Sequence, residues 1–145
     1  MKPVELEKLL HQEIPITQAL AIQVIELEVN QITIKAPFEQ NKNIHNTAFA
    51  GSIYTTATLA GWSLVTNFLK DKNLDGSVVL AKGEIKYLKP INGDIVAHTE
   101  FANQSDLEKL QAQFENKGKA RINLTINVIE DEIIKAQLNA SFAIV

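Results

Sequence analysis

The stretch NKNIHNTAFAGSIYTTATLAGW, residues 41–62, gathers more hydrogen-bonding capacity than any other part of the chain that is also strongly apolar. His45 carries an imidazole, the side-chain type most often used as a general base. Asn43 and Asn46 flank it and can orient a water or a carbonyl. Ala50-Gly51-Ser52 then opens an apolar run with helical spacing. A helix start carries amides without internal acceptors and the positive end of a dipole, which suits an oxygen that gains negative charge. Gly51 has no Cβ and lets a ligand approach that backbone closely. The same residues also describe a loop histidine facing solvent and a tightly packed helix start, and residue types alone leave both readings open.

The other polar side chains are less pointed. Ser52, Thr55, Ser63 and Thr66 share one side of the expected helix. They suit the wall of a channel or a contact with a second helix, and equally hydroxyls bonded back to carbonyls one turn earlier. Glu39 and Glu84 read as solvated carboxylates, with Glu84 near a strand start. His98 reads as an exposed mid-strand residue, and His11 as part of an outer helix. Neither histidine is assigned a role. No cluster of His and carboxylates shows metal-ligand spacing, and Gly51 stands alone, unlike a phosphate-gripping loop.

These residues need elements to hold them. Val4, Leu9, Leu10 and Ile14 recur at helical spacing until Pro15, which predicts a short amphipathic helix. From Ile16 to Phe38 the period changes to two. Ile25, Leu27 and Val29 alternate with Glu26 and Glu28, Asn30-Gln31 turns the chain, and Ile32, Ile34 and Ala36 follow, as in a half-buried hairpin. The parity slip between Val24 and Ile25 predicts a bulge. Residues 39–47 read as a polar loop. Phe49, Ile53, Ala57, Ala60, Leu64 and Phe68 then form a helical stripe, with Tyr54, Leu59, Trp62, Val65 and Leu69 on the other sides. A helix apolar nearly all round must be wrapped by something. The wrapping is expected from strands over 78–88, 94–101, 120–128 and 134–144, while 105–116 fits either a short helix or an edge strand. One long helix embraced by one antiparallel sheet is an α+β layout, and 1–145 reads as a single domain.

Composition narrows the class. A length of 145 residues with 46% hydrophobic and 21% charged residues is ordinary for a soluble globular chain. A net charge of −3 without a basic stripe argues against nucleic acid. The absence of Cys removes disulfides and thiol nucleophiles and fits a cytoplasmic setting. The most apolar stretch, 48–69, is broken by Ser, Thr, Asn and Gly and reads as a core helix, not a membrane span.

Two motifs point further. Asn43 is followed eight residues later by Gly51 at a helix start, and EIKYLKPINGDIVAHTEF, residues 84–101, joins two strands through a Tyr-Leu-Lys-Pro turn. Together they resemble the hotdog-fold thioesterase superfamily, and HNTAFAGSIYTTATLAGW with IKYLKP resembles its YiiD-type domain. The resemblance implies a curved sheet around the central helix. It also implies hydrolysis of an acyl-CoA or acyl-carrier-protein thioester at the amides of Gly51 and Ser52; by residue type, His45 is the candidate base for the water and Asn43 and Asn46 its candidate orienters. Lys86 and Lys89, with Lys82 nearby, suit the phosphates of coenzyme A and equally a solvated strand face; coenzyme A would enter as part of the substrate, and no separate cofactor is implied. The site is expected where two subunits of a homodimer or tetramer meet. In the phenylacetyl-CoA type an Asp lies seven residues after the second Gly; here that position is Thr58, which is no base at neutral pH. The departure keeps open a non-catalytic acyl-thioester-binding module, and the His keeps open a dehydratase or hydratase.

Overall fold

The computed structural model describes all 145 residues. Its centre is α4, Ala50–Asp71, a helix of 22 residues. Ile53, Ala57, Ala60, Leu64 and Phe68 form its buried stripe, and Leu59, Val65 and Leu69 are buried on other sides. Phe49, the expected first member of that stripe, instead sits at the N-cap and is 54% exposed. Its backbone is extended, and the ring lies over Gly51 outside the core.

Six antiparallel strands wrap α4: β1 Gln23–Leu27, β2 Gln31–Ala36, β3 Val78–Tyr87, β4 Ile95–Glu100, β5 Ala120–Glu130 and β6 Ile133–Ile144. Their order in the curved sheet is β1-β2-β4-β5-β6-β3. Period-two patterning drives the packing, because one face of each strand lies against the helix. Ile32, Ile34 and Ala36 of β2, Leu124, Ile126 and Val128 of β5, and Ala136, Leu138, Ala140, Phe142 and Ile144 of β6 are all buried. In β1 the pairing register slips between Val24 and Glu26. The bulge buries Val24 and turns Ile25 out to 53% exposure, so Val24 and not Ile25 serves the core.

Helix and sheet meet closely. Gly61 gives Phe142 its place, since a Cβ there would lie 2.5 Å from the ring. Trp62 donates through Nε1 to Val78 O at 2.8 Å, and Phe68 meets Phe101 edge to face at 5.8 Å. Each large apolar side chain so buried contributes roughly 1.5–3 kcal/mol before entropy is counted.

The remaining helices close the ends. Leu6 and Leu10 of α1, Pro3–Glu13, are fully buried. Residues 16–19 and 38–41 form one-turn helices, α2 and α3, where strand and loop were expected. Both follow a proline that presets the helical φ. Residues 104–117 are helical, α5, which decides the open reading of 105–116. Asn103 caps it by accepting from Asp106 N–H at 2.9 Å, and Gly118 ends it in the left-handed region at φ 69°. β4 pairs with β5 only at Ala97↔Val128 and His98↔Asn127, and α5 packs beside the first half of β5. No helix is long and apolar enough to cross a membrane.

Candidate active site

The loop before α4 is built around Asn43. Its Oδ1 accepts from the backbone N–H of His45 at 2.9 Å and of Thr47 at 3.1 Å. Its Nδ2 lies 2.9 Å from Thr47 Oγ1, and Asn43 N–H donates to Thr47 O at 2.7 Å. Such Asx geometry fixes a tight turn, and Asn46 completes it in the left-handed region at φ 63°, which Asn tolerates. The amide of Asn43 is therefore committed to the loop, which leaves His45 at the tip with its ring exposed.

Backbone bonds fasten this loop to the elements around it. Phe49 N–H donates to Asn41 O at 2.7 Å, and Ala48 N–H to Ile91 O at 2.8 Å. Asn41 itself is 1% exposed and donates through Nδ2 to Leu20 O at 2.9 Å and Pro37 O at 2.8 Å. Its Oδ1 is buried without a partner.

The helix start that follows is open. No side chain caps α4, and the first backbone acceptor is used by Ile53 N–H, 3.0 Å from Phe49 O. The amides of Ala50, Gly51 and Ser52 thus precede the first intrahelical bond. Gly51 is exposed and Ser52 is 5% exposed. A Cβ on Gly51 would fall 2.5 Å from the Phe49 ring. Thr55 and Thr56 bond back to Gly51 O and Ser52 O at 2.9 and 2.7 Å. Thr58, Ser63 and Thr66 do not, and each holds a buried hydroxyl without a partner.

A cleft of about 310 Å³ opens beside this start, lined by Asn43, Thr47, Ala50 and Ile53 on one side and by Tyr87 to Ile91 on the other. Tyr87 was not anticipated as a site residue. Its hydroxyl donates to Ala50 O at 3.0 Å and ties the end of β3 to the first residue of α4. Burial, with Tyr54 nearby, pushes its pKa up. The signal was present in the Tyr-Leu-Lys-Pro segment, but its partner lies 37 residues away in sequence.

The lysines divide. Lys89 lines the cleft. Strand alternation puts Lys82, Glu84 and Lys86 on the face away from α4, because Gly83 packs against Tyr54 of the helix and Tyr87 bonds to Ala50. Lys86 therefore stands on the opposite face of the sheet from the cleft. Glu84 is mid-strand and not at a strand start. His98 is half-buried, with Nδ1 2.9 Å from Thr33 Oγ1, and His11 Nε2 lies 2.8 Å from Ile22 O. No group of three or more His, Cys, Asp or Glu is arranged to hold a metal.

A curved antiparallel sheet around one central helix, with the loop and cleft at the helix start, is the hotdog fold. The chain belongs to the family described as "Putative thioesterase (yiiD_Cterm)", whose model matches residues 4–145. Among solved structures it is similar to a protein of unknown function from Chlorobaculum tepidum, at 29% identity and a TM-score of 0.92, covering 99% of this chain and 96% of that one. It is also similar to a "putative thioesterase" from Shewanella oneidensis, at 28% identity and a TM-score of 0.83, covering 97% and 95%. A Pseudomonas aeruginosa protein described as a "Probable Thioesterase" shares the fold at 20% identity and a TM-score of 0.84.

Proposed function

We propose that the protein hydrolyses an acyl thioester of coenzyme A or of a carrier protein. The observation that carries this reading is the uncapped start of α4, whose first residue, Ala50, lines a cleft of about 310 Å³. The carbonyl oxygen would lie against the amides of Gly51 and Ser52, which stabilise the charge that develops when water adds to the carbonyl carbon. His45 takes the proton of that water, and the C–S bond breaks as the proton passes to the departing sulfur. Asn43 sets the loop that carries His45, Asn46 turns it, and Thr58 offers a hydroxyl to orient water, not a base. Lys89 meets the phosphates of a coenzyme A substrate, and Lys86 reaches them only from around the edge of β3. Membership of a thioesterase family supports the class of reaction.

The working unit is a homodimer or tetramer in the cytoplasm. β3 supports an oligomer, since it is a ten-residue edge strand whose Val79 and Tyr87 are 47% and 48% exposed, with Leu88 just beyond it at 55%. Unpaired edges of this length are normally covered. Ile44, 93% exposed, and Phe49, 54% exposed, add apolar surface on the loop before α4.

A second reading, an acyl-thioester-binding module without catalysis, draws on the hydroxyl of Thr58 at the position where a related type carries its acid. Thiol release from acyl-CoA substrates of several chain lengths separates the two. Hydrolysis that falls at least about 100-fold in Gly51→Val and in His45→Ala supports the hydrolase. Binding of the esters with no thiol released by the unaltered protein establishes the module. Full activity in His45→Ala removes His45 as the base.

A further inference from the structure

We propose that a second copy of the chain adds its β3 to this β3 about a two-fold axis at Ile85, and that the partner's Gly83 and the partner's Tyr54 complete the cleft wall beside Tyr87. The proposal rests on the oligomeric thioesterase reading above and names the register and the residues shared. Which groups the edge offers follows from the pairing of β3 with β6. Leu88 N–H donates to Lys135 O at 2.8 Å, and at the other end Ser77 and Val145 exchange bonds of 2.8 and 2.9 Å. Backbone groups alternate sides along a strand, so Lys82, Glu84 and Lys86 bond toward β6, while Gly83, Ile85 and Tyr87 point theirs at the open edge. The bulge between Leu80 and Lys82 reverses this alternation, which leaves Val78 and Leu80 facing outward in the first half. There Val78 O already accepts from Trp62 Nε1 at 2.8 Å. A new strand therefore finds one uninterrupted set of donors and acceptors, on Gly83, Ile85 and Tyr87.

Opposed residues of antiparallel strands share a face, so β3 can pair with its copy only in steps of one residue about the axis. Centred on Ile85, the ladder sets Ile85 against the partner's Ile85 and Gly83 against the partner's Tyr87, and every one of the free groups is used. The outer face then sets Glu84 against the partner's Lys86, and Lys86 against the partner's Glu84, where side chains stand closest. Lys82, Glu84 and Lys86 make no ion pair within the chain. One step toward the bulge opposes Glu84 to the partner's Glu84 and Lys82 to the partner's Lys86. One step the other way opposes Lys86 to the partner's Lys86. Both alternatives face like charges and waste bonding groups. On the inner face the Ile85 register lays an aromatic ring across an edge glycine, a pairing that favours both.

The register reaches the site through Tyr87, which lines the cleft and donates to Ala50 O at 3.0 Å. Within each chain the Tyr54 hydroxyl packs against Gly83 on the α4 side. Neighbouring strands stand about 5 Å apart, so the partner's Gly83 and the partner's Tyr54 cover the flank of Tyr87, which is 48% exposed in a single chain. The start of α4 in one subunit is thereby held in part by the other.

The chain has no Cys, so one engineered thiol reports alone. Residues opposed in a hydrogen-bonded pair have Cα atoms about 5.5 Å apart, within disulfide reach, whereas those displaced by a step lie beyond about 7 Å. Under mild oxidant Ile85→Cys is expected to form a covalent dimer on non-reducing gels, and Glu84→Cys and Lys86→Cys to stay uncrosslinked. Circular dichroism checks that each variant is folded. A cross-link at Glu84→Cys or Lys86→Cys in place of Ile85→Cys, or at none of them, overturns the register. The shared wall is read in mixed dimers, co-expressed with two tags and captured on both in turn. Gly51→Val disables its own helix start, and Tyr54→Ala removes the wall from the other subunit's site. One site of the mixed dimer keeps both residues, so about half the unaltered turnover should return where each parent has lost most of its own. No recovery, or full turnover in Tyr54→Ala alone, overturns the shared wall. The cross-link is read without turnover, so a chain that releases thiol from no ester rejects the hydrolase reading, and the pairing is still decided by the cross-link.

Discussion

Tyr87, at the end of β3, donates its hydroxyl to the carbonyl oxygen of Ala50, the first residue of α4, at 3.0 Å. The bond fixes one wall of the cleft to the helix start that would bind the thioester carbonyl. Tyr87→Phe keeps the ring and removes the bond. A loss of about 0.5–1 kcal/mol is expected in urea unfolding, toward the low end because the residue is half exposed. The pKa of Tyr87 is raised in the fold, first by burial and then by Tyr54. Its contribution is therefore complete below the unfolded value near 10 and is lost as pH rises through the folded value. Stability of the unaltered protein should fall more steeply above about pH 10 than that of Tyr87→Phe.

Gly51→Val separates site from scaffold. The atoms nearest an added Cβ belong to the Phe49 ring, which is 54% exposed and outside the core. Melting temperature should change little, while thioester hydrolysis falls by about 100-fold or more as the approach to the amides closes. A large drop in melting temperature would instead make Gly51 a packing residue.

The strands and the central helix were legible because burial on one face imposes a period that single residues cannot hide. Even the bulge at Val24/Ile25 was visible as a break in that period, though which residue it buried was not. α5 stayed ambiguous because Leu107, Leu110 and Phe114 are few among polar residues. The cap at Asn103 and the stop at Gly118 were the better signals. At the site, Asn43, His45 and Gly51 were recognisable by type, but that Asn43 spends its amide on the loop depends on folded geometry. The Tyr87–Ala50 bond spans 37 residues and leaves no local trace. Lys86 and Lys89 looked equivalent by charge, yet strand alternation sends Lys86 to the far face.

Gly61 sets how closely α4 approaches the sheet. A Cβ there would lie 2.5 Å from Phe142 Cε2 and 2.6 Å from Cζ, and Phe142 is fully buried. Alanine favours a helix by about 1 kcal/mol over glycine, but overpacking costs about 1–3 kcal/mol. Gly61→Ala should therefore be neutral to destabilising by up to about 2 kcal/mol in urea unfolding. In a Phe142→Leu background the same change should become stabilising, so the double-mutant cycle carries the test.

The β5–β6 turn places Asp131 and Glu132 both at positive φ, 53° and 64°. That geometry matches the twist of a hairpin but strains a Glu, which has no short polar side chain to compensate. Glu132→Gly should raise stability by about 1 kcal/mol, seen as a higher urea midpoint with an unchanged slope. A neutral or destabilising result would mean that the entropy gained by the unfolded glycine outweighs the strain.

Asp94 holds α3 to the turn before β4. It accepts from Phe38 N–H at 2.8 Å and pairs with Lys35 Nζ at 3.1 Å. The Phe38 amide does most to lower its pKa, burial opposes it, and the hydrogen bond and charge of Lys35 lower it further. A depressed folded pKa means that the stabilisation is present above the unfolded value near 4 and disappears as pH falls through the folded value. The carboxylate is 42% exposed, so solvent screening holds the effect to about 1 kcal/mol or less. Unfolding free energy measured from pH 7 to pH 3 should fall for the unaltered protein by more than for Asp94→Asn. Parallel curves would show that the Phe38 and Lys35 contacts contribute nothing measurable.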